Sequence, residues 1–472
     1  MGTATIDHEK VPADLEPGGR ALRELTVALA SIGVGVLAGV AAYAFRLLIG
    51  AVHNLLFLGR LSLAYDANRH TPASPWGWGV VVVPAMGAVA VVYLVENFAP
   101  EARGHGVPEV MEAIHEEHGR IRLIVAGVKS LASAISIGSG GSVGREGPIA
   151  QIGAGLASTL GRLLRAAPSQ VATLVAAGGA AGIAATFNTP IGGVLFAIEV
   201  LIQELSARTL IPLALATGSA TYVGRALLGD VPAFPAPDLR TPVAAQVGYL
   251  PAYLALGLMT GLTSLVFIRG LYGTEDWFER RFPHRPYVRH VAGMLVVGAL
   301  IAFLFWRTGH YWVEGVGYAT VLDVLNGAVT SIPFLLALCG MKLVATWLTL
   351  GSGASGGIFS PSMFVGATLG GAFGLLLRAV APRLAIAPAA FALAGMAGVV
   401  AGATGAAITA VVMIFEMTRD YSVVLPMTLT VAVSYALRRL LCSDSIYTLK
   451  LSRRGIHIPD ALYAAAPPKS DQ

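Results

Sequence analysis

Glu146 stands in GSGGSVGREGP at residues 138–148, and a sister stretch, GSGASGGIFSP at 351–361, carries Phe359 in the glutamate's place. Each stretch follows an apolar run, Ile121–Ile137 in one case and Ile332–Leu350 in the other, and closes with Gly-x-x-x-Pro before the next apolar run begins. The pattern predicts that one helix stops, the backbone turns, and a new helix starts near Pro148 or Pro361, because proline is well tolerated in a first turn. A helix start leaves several N–H groups without an intrahelical partner. An anion satisfies them, helped by the positive end of the helix dipole and by glycines that let it approach the backbone. Two such starts can converge on one anion. A third segment of the same form, Gly104-His105-Gly106-Val107-Pro108 followed by EVMEAI, is a further candidate. In this setting Glu146 is an internal anion able to occupy the same N–H groups as a permeating one and to leave when protonated. The competing reading is a carboxylate that simply caps the helix start and stays there.

Other chemistries fit less well. GSGASG at 351–356 matches G-x-G-x-x-G, but it follows a long apolar run rather than a strand, so no dinucleotide site is read there. No G-x-x-x-x-G-K-[ST] occurs. Small-residue helix packing accounts for Gly35 and Gly39 in a G-x-x-x-G, and could account for Gly192 and Gly193, but not for paired prolines at matching places. His105 with Glu146 could act as the acid–base pair of an intramembrane enzyme. No nucleophile or metal-ligand spacing accompanies them, and His115 with His118 in HEEH reads as a solvated loop. No metal and no cofactor is expected, only a bound anion.

The surrounding elements are those of a membrane protein. Of 472 residues, 55% are hydrophobic and 12% charged, about half the charged share of a soluble domain. Charge-free runs such as Val80–Tyr93, Leu210–Gly224, Leu250–Phe267 and Val291–Phe305 recur along the chain, several shorter than the roughly 20 residues that cross a bilayer upright. Met1–Gly19 is polar and lacks the apolar core of a secretory signal, so the first apolar helix, from about Ala21, is retained. The net charge is +5, with basic clusters at Arg280–Arg289 and Lys450–Arg454 beside apolar segments. An excess of Lys and Arg on cytoplasmic loops explains them better than nucleic-acid binding and puts the C-terminal end inside. The proline-rich loop Gly229–Gln246 then faces outward. The two cysteines, Cys339 and Cys442, lie in or beside apolar runs, and a disulfide is not expected.

The repeat reaches beyond the glycine stretches. At the same offset Lys129 pairs with Lys342, Ala132 with Ala345, Gly153 with Gly366, Ala154 with Ala367 and Leu156 with Leu369. After a short slip, AAGIAATFNTPIGGVLFAIEV at 180–200 aligns with AGVVAGATGAAITAVVMIFEM at 397–417, bringing Glu199 onto Glu416. The organisation predicted is a polar N-terminal segment (1–20), a first membrane repeat (21–228), a linker (229–240), a second repeat (241–442) and a short tail (443–472) with no room for a folded regulatory domain. Duplicated halves with broken or short helices mark transporters whose ligand site lies between the repeats near mid-membrane. Whether the halves are parallel or inverted is left open by the sequence.

GREGP at 144–148, GIFSP at 357–361, GHGVP at 104–108 and FNTPIGGVLFAIE at 187–199 together resemble the signatures of the CLC family of chloride channels and chloride/proton antiporters, in the family's order and across nearly all of the membrane portion. The resemblance implies an all-α integral membrane fold, an inverted repeat of tilted, broken helices. It also implies a homodimer with one pore per subunit, embedded in lipid, and a chloride site. By position, the backbone amides around Arg145, Glu146 and Gly147 and those of Ile358 and Phe359 would hold anions. Glu146 falls on the family's gating glutamate, and Tyr447 on a tyrosine whose hydroxyl points at the central anion. The alternative for Tyr447 is an interfacial aromatic, and Arg145 is expected to brace the backbone rather than touch ions with its side chain.

Two positions depart from the pattern. His105 replaces a serine that helps to bind the central anion; it can still donate an N–H, and an unperturbed pKa near 6.5 would make it a proton sensor, or else it only fills an aqueous vestibule. Val200 replaces the inner glutamate that relays protons in many of the antiporters, and valine carries no proton. The leading reading is therefore a passive, gated chloride channel or uncoupled pathway in a bacterial inner membrane. A chloride/proton antiporter with another route, through Glu199, Glu204 or His105, is the alternative, and an intramembrane enzyme is the remote one.

Overall fold

The computed structural model describes residues 17–235, 248–382 and 386–458, so most of the polar N-terminal segment, much of the linker loop and the end of the tail lie outside the described residues. The first eight helices are α1 (Pro17–Leu58), α2 (Val83–Phe98), α3 (Val107–His115), α4 (Leu123–Gly138), α5 (Glu146–Leu163), α6 (Pro168–Phe187), α7 (Pro190–Phe196) and α8 (Ala207–Leu228). The next eight are α9 (Leu250–Arg281), α10 (Pro286–Thr308), α11 (Tyr318–Leu325), α12 (Ile332–Ser352), α13 (Phe359–Val380), α14 (Pro388–Thr404), α15 (Ala407–Thr418) and α16 (Val424–Leu441). A short α17 (Thr448–Arg453) follows. Eight of the described helices are long and apolar enough to cross a membrane, while α4, α14 and α15 are apolar but shorter.

Proline sets many of the starts. Pro108, Pro168, Pro190, Pro251, Pro286, Pro333 and Pro388 occupy the first or second helical position, where the missing N–H costs nothing and φ is already helical. The predicted starts near Pro148 and Pro361 are observed, at Glu146 and Phe359. The basic stretch Arg280–Arg289 is largely helical, reduced to a tight turn between α9 and α10.

The two sets of eight pack alike. α1 lies on α8 as α9 lies on α16, and α5 lies on α6 as α13 lies on α14. The α5–α6 crossing is made at Gly153 and Gly178, and the α13–α14 crossing at Gly366 and Gly395; a Cβ on any of the four would collide with the facing glycine's carbonyl oxygen. Removing the side chain lets the backbones touch, the means by which helices associate without a hydrophobic drive of their own.

The halves are inverted. Glu199, in the π-helical turn Ala197–Ile202 that prolongs α7, accepts from the Ile408 and Thr409 amides at the start of α15 (3.0 and 2.6 Å). Its mate Glu416, near the end of α15, accepts from the Ile191 and Gly192 amides at the start of α7 (3.1 and 2.7 Å). The end of each helix reaches the start of the other, which requires the two to run antiparallel. Each carboxylate satisfies N–H groups that have no intrahelical partner and cannot find water inside a membrane. Glu199→Gln keeps the shape but removes the charge, and is expected to cost about 1–2 kcal/mol. A lower unfolding midpoint in detergent, with an unchanged pH response of transport, checks it.

Candidate anion-binding site

Three glycine segments meet at the centre of the molecule. Gly144 and Gly357 exchange backbone hydrogen bonds, each N–H to the other's carbonyl at 2.7 Å. Gly104 donates to the Ala354 carbonyl (3.0 Å) and accepts from the Gly356 amide (3.1 Å). The His105 carbonyl packs on Gly147 and the Gly147 carbonyl on Gly106, so closely that neither glycine has room for a Cβ. Gly104 and Gly106 have φ of +82° and +87°, conformations that glycine adopts without the clash a side chain suffers. The starts of α3, α5 and α13 are thereby brought to one point.

Buried lysines hold this arrangement from behind. Lys129, on α4, donates to the carbonyls of Ala102 (3.0 Å) and Gly104 (2.7 Å), and its mate Lys342, on α12, to those of Val313 (3.0 Å) and Gly315 (2.8 Å). The pairing of Lys129 with Lys342 is thus structural: each ammonium organises the loop that leads into a short helix, α3 or α11.

A narrow cavity lies in front of the glycine hub, lined by Glu146, Gly147, Phe359 and Tyr447 together with Val107, Ile183, Phe196 and Met413. Four of the residues singled out in the sequence therefore share one wall-to-wall space. Glu146 is 3% exposed and Tyr447 3%, and the Glu146 carboxylate turns toward α13. There Oε2 faces the Ser360 amide (3.4 Å), while Oε1 accepts from the Tyr318 hydroxyl (2.7 Å) and from the Ser360 hydroxyl. Ile358 is fully buried as the N-cap of α13. The side chain of Arg145 leaves the cavity and lays its guanidinium on the faces of Phe187 and Tyr318, 5.7 and 5.3 Å from the ring centres.

His105 is buried rather than in an open vestibule, and its side chain is not among those lining the cavity, although its carbonyl packs on Gly147, which does line it. It is 5% exposed, its ring stands edge-on to Tyr272 at 6.3 Å, and its Nδ1 is buried without a partner. Burial and then the ammonium of Lys450 push its pKa down to about 3, which favours the neutral ring over a sensor that titrates near neutral pH. The neutral imidazole keeps one N–H to donate.

Behind His105 sits an ion pair that the sequence did not reveal. Lys450 on α17 contacts Glu109 on α3 at 2.6 Å, and Arg454 contacts Glu109 at 3.4 Å and Glu112 at 3.0 Å. Burial alone would raise the Glu109 carboxyl, but Lys450, Lys129 and Arg454 outweigh it and hold its pKa at about 2. These bonds tie α17, and with it Tyr447, to the start of α3.

Val200 lies 3% exposed in the π-helical turn. Neighbouring Glu199 is engaged with α15, with Thr409 Oγ1 as a further donor at 2.6 Å. His115, read as part of a solvated loop, instead donates Nε2–H to the Leu201 carbonyl at 3.0 Å, one residue beyond Val200. Among the described residues no cluster of three or more His, Cys, Asp or Glu is arranged to hold a metal ion.

Tyr318, Ser360, Phe196, Met413 and His115 were missed by sequence reasoning. Tyr318 had a signal: Gly315-x-Gly317-Tyr318 is the second copy of Gly104-x-Gly106-Val107, with Gly106 and Gly317 both at positive φ as N-caps of α3 and α11. The slip in register hid it.

Residues 87–439 match the voltage gated chloride channel family. The chain is 33% identical over 390 residues to a putative chloride channel protein ClcB-like of Ralstonia nicotianae, covering 81% of this chain and 87% of that one. It is 30% identical over 433 residues to the H(+)/Cl(-) exchange transporter ClcA of Salmonella arizonae, covering 91% and 89%. The crystal structure of a slow cyanobacterial Cl-/H+ antiporter superposes with a TM-score of 0.78 at 26% identity, over 91% of this chain and 97% of the other.

Proposed function

This chain belongs to the CLC family of voltage gated chloride channels and chloride/proton antiporters, an integral membrane family, and we propose on that footing that it is a gated chloride pathway without stoichiometric proton coupling. Glu146 is its gate. Chloride sits in the cavity in front of the glycine hub, held by the amides of the α5 and α13 starts around Arg145, Glu146, Gly147, Ile358 and Phe359 and by the Tyr447 hydroxyl, with His105 supporting the inner end. The carboxylate is the competing anion: charged, it takes up donors of the α13 start; protonated, it releases them to chloride. The protein works as a homodimer with one pore per subunit, in a bacterial inner membrane with the Lys450–Arg454 end on the cytoplasmic side, and carries out no enzymatic conversion.

The observation that carries the uncoupled reading is the pair of neighbours at the inner position. Val200 has nothing to titrate, and the Glu199 carboxylate is engaged by three donors on α15. A proton coming from the cytoplasmic side finds there only a carboxylate already engaged by three donors. One observation favours antiport instead: the His115 imidazole lies against the backbone carbonyl of Leu201, next in the chain to Val200, with Glu116 and Glu204 close enough to act on its charge, so a titratable group stands near the inner position. Relatives named as exchangers keep that reading in view.

One assay separates the two. Purified protein is sealed into liposomes with a chloride gradient, equal pH on both sides and the voltage clamped near zero with potassium and valinomycin. Chloride is expected to leave with no movement of protons against a gradient. Uphill proton movement that vanishes in His115→Ala would overturn the uncoupled reading and give the relay to His115.

A further inference from the structure

Tyr318 is the first residue of α11, far from every motif, yet its hydroxyl ends on the carboxylate proposed as the gate. Two hydroxyls converge on Glu146 Oε1, those of Tyr318 (2.7 Å) and Ser360, and the two lie 2.7 Å from each other. All three residues are buried, Tyr318 at 2% exposure and Ser360 at 0%.

Tyr318 has little freedom to leave. Its loop is anchored by Lys342 through the carbonyls of Val313 and Gly315, and by Thr320, whose hydroxyl donates to the Trp312 carbonyl at 2.9 Å. Glu314, in the same loop, is paired with His53 at 3.3 Å. Gly317, at φ +80°, admits no side chain because a Cβ would strike Phe364. The ring is packed edge-on by Phe234 at 5.1 Å and covered by the Arg145 guanidinium.

We propose that Tyr318 and Ser360 form a two-hydroxyl clamp that holds the Glu146 carboxylate in its closed position and so sets the pH at which the pathway opens. The clamp rests on the reading of Glu146 as the gate. Its physical basis is charge: a carboxylate accepts from both hydroxyls in bonds about twice as strong as neutral ones, and a buried site leaves no water to replace them. A proton on the carboxyl weakens both bonds, and the side chain is released. Among the described residues, Tyr318 on α11, Lys342 on α12, Tyr447 before α17 and adjacent Arg145 are titratable and charged groups that face Glu146.

The test is the pH profile of chloride efflux from liposomes, from about pH 4.5 to about pH 8. Tyr318→Phe keeps the ring and is expected to move the half-maximal pH upward by about one unit, which is about tenfold more flux on the alkaline limb. Ser360→Ala is expected to move it in the same direction by less, because the amide remains, and Ser360→Thr to restore it. In a Glu146→Gln background Tyr318→Phe is expected to change nothing. If Glu146→Gln has a flat profile while Tyr318→Phe and Ser360→Ala superimpose on the wild type, the clamp is overturned and the gate stands. If Glu146→Gln itself keeps the wild-type profile, the gate reading falls and the clamp with it.

Discussion

Glu146→Gln is expected to pass chloride faster than the wild type at neutral pH, by on the order of tenfold or more, with a rate that no longer responds to pH. The magnitude follows from what holds the side chain. The Tyr318 and Ser360 hydroxyls and the more distant Ser360 amide all converge on the carboxylate, and a hydrogen bond to a charged group contributes about 1.5–3 kcal/mol. Glutamine has the same shape and can accept weakly at Oε1, but it is neutral at every pH, so it competes with chloride only as a dipole. About 1.4 kcal/mol lost from the closed form is a tenfold gain for the open one. Glu146→Ala, which removes the side chain, should give the same flat profile. Chloride efflux followed by electrode across a pH series is sufficient, and a Glu146→Gln profile that still rises toward acid pH would show that some other group opens the pathway.

The second large effect falls on the lysines. Lys342→Met leaves a side chain of similar length in a fully buried place and removes both donors to the Val313 and Gly315 carbonyls. Each buried carbonyl left unsatisfied costs about 1–3 kcal/mol, so a loss of about 3–5 kcal/mol is expected. Lys129→Met exposes Ala102 and Gly104 to the same fate. The two variants should fall together in detergent unfolding midpoint and part in function. Lys129→Met disorders the segment that carries His105 and should lower chloride flux, whereas Lys342→Met loosens the loop that carries Tyr318 and should raise neutral-pH flux in the molecules that fold. Unchanged unfolding midpoints in both would show that these ammonium groups hold nothing together.

Much of the site was legible because it was written in backbone chemistry. Glycine before a helix start and proline within it have few other uses in an apolar chain, and the second copy at 351–361 made chance an inadequate explanation. Glu146 stood out for the same reason, an acid where the sister stretch has phenylalanine. His105 was legible as a departure but not in its environment: identity and spacing cannot say that the ring is buried, nor that Lys450, hundreds of residues away, adds its charge to that burial in lowering the pKa. His115 looked like part of a charged surface because its neighbours are charged, yet the Leu201 carbonyl, brought over by the π-helical turn, takes it from the surface.

Composition settles that the chain lies in a membrane, since there are too few charges to coat a water-soluble surface. Duplication points to two similar bundles, and the glycine–proline sequences fix where helices start and so where backbone N–H groups lack an intrahelical partner. These are local properties, carried by neighbouring residues through steric and hydrogen-bonding rules that do not depend on the rest of the molecule. The tertiary structure alone decides that the halves are inverted, because the reciprocal bonds of Glu199 and Glu416 to each other's helix need both halves in place. It alone brings Tyr318 and Ser360 onto Glu146, across separations of 172 and 214 residues. A carboxylate's partners are set by distance in space, and no pattern along the chain encodes which hydroxyl will arrive.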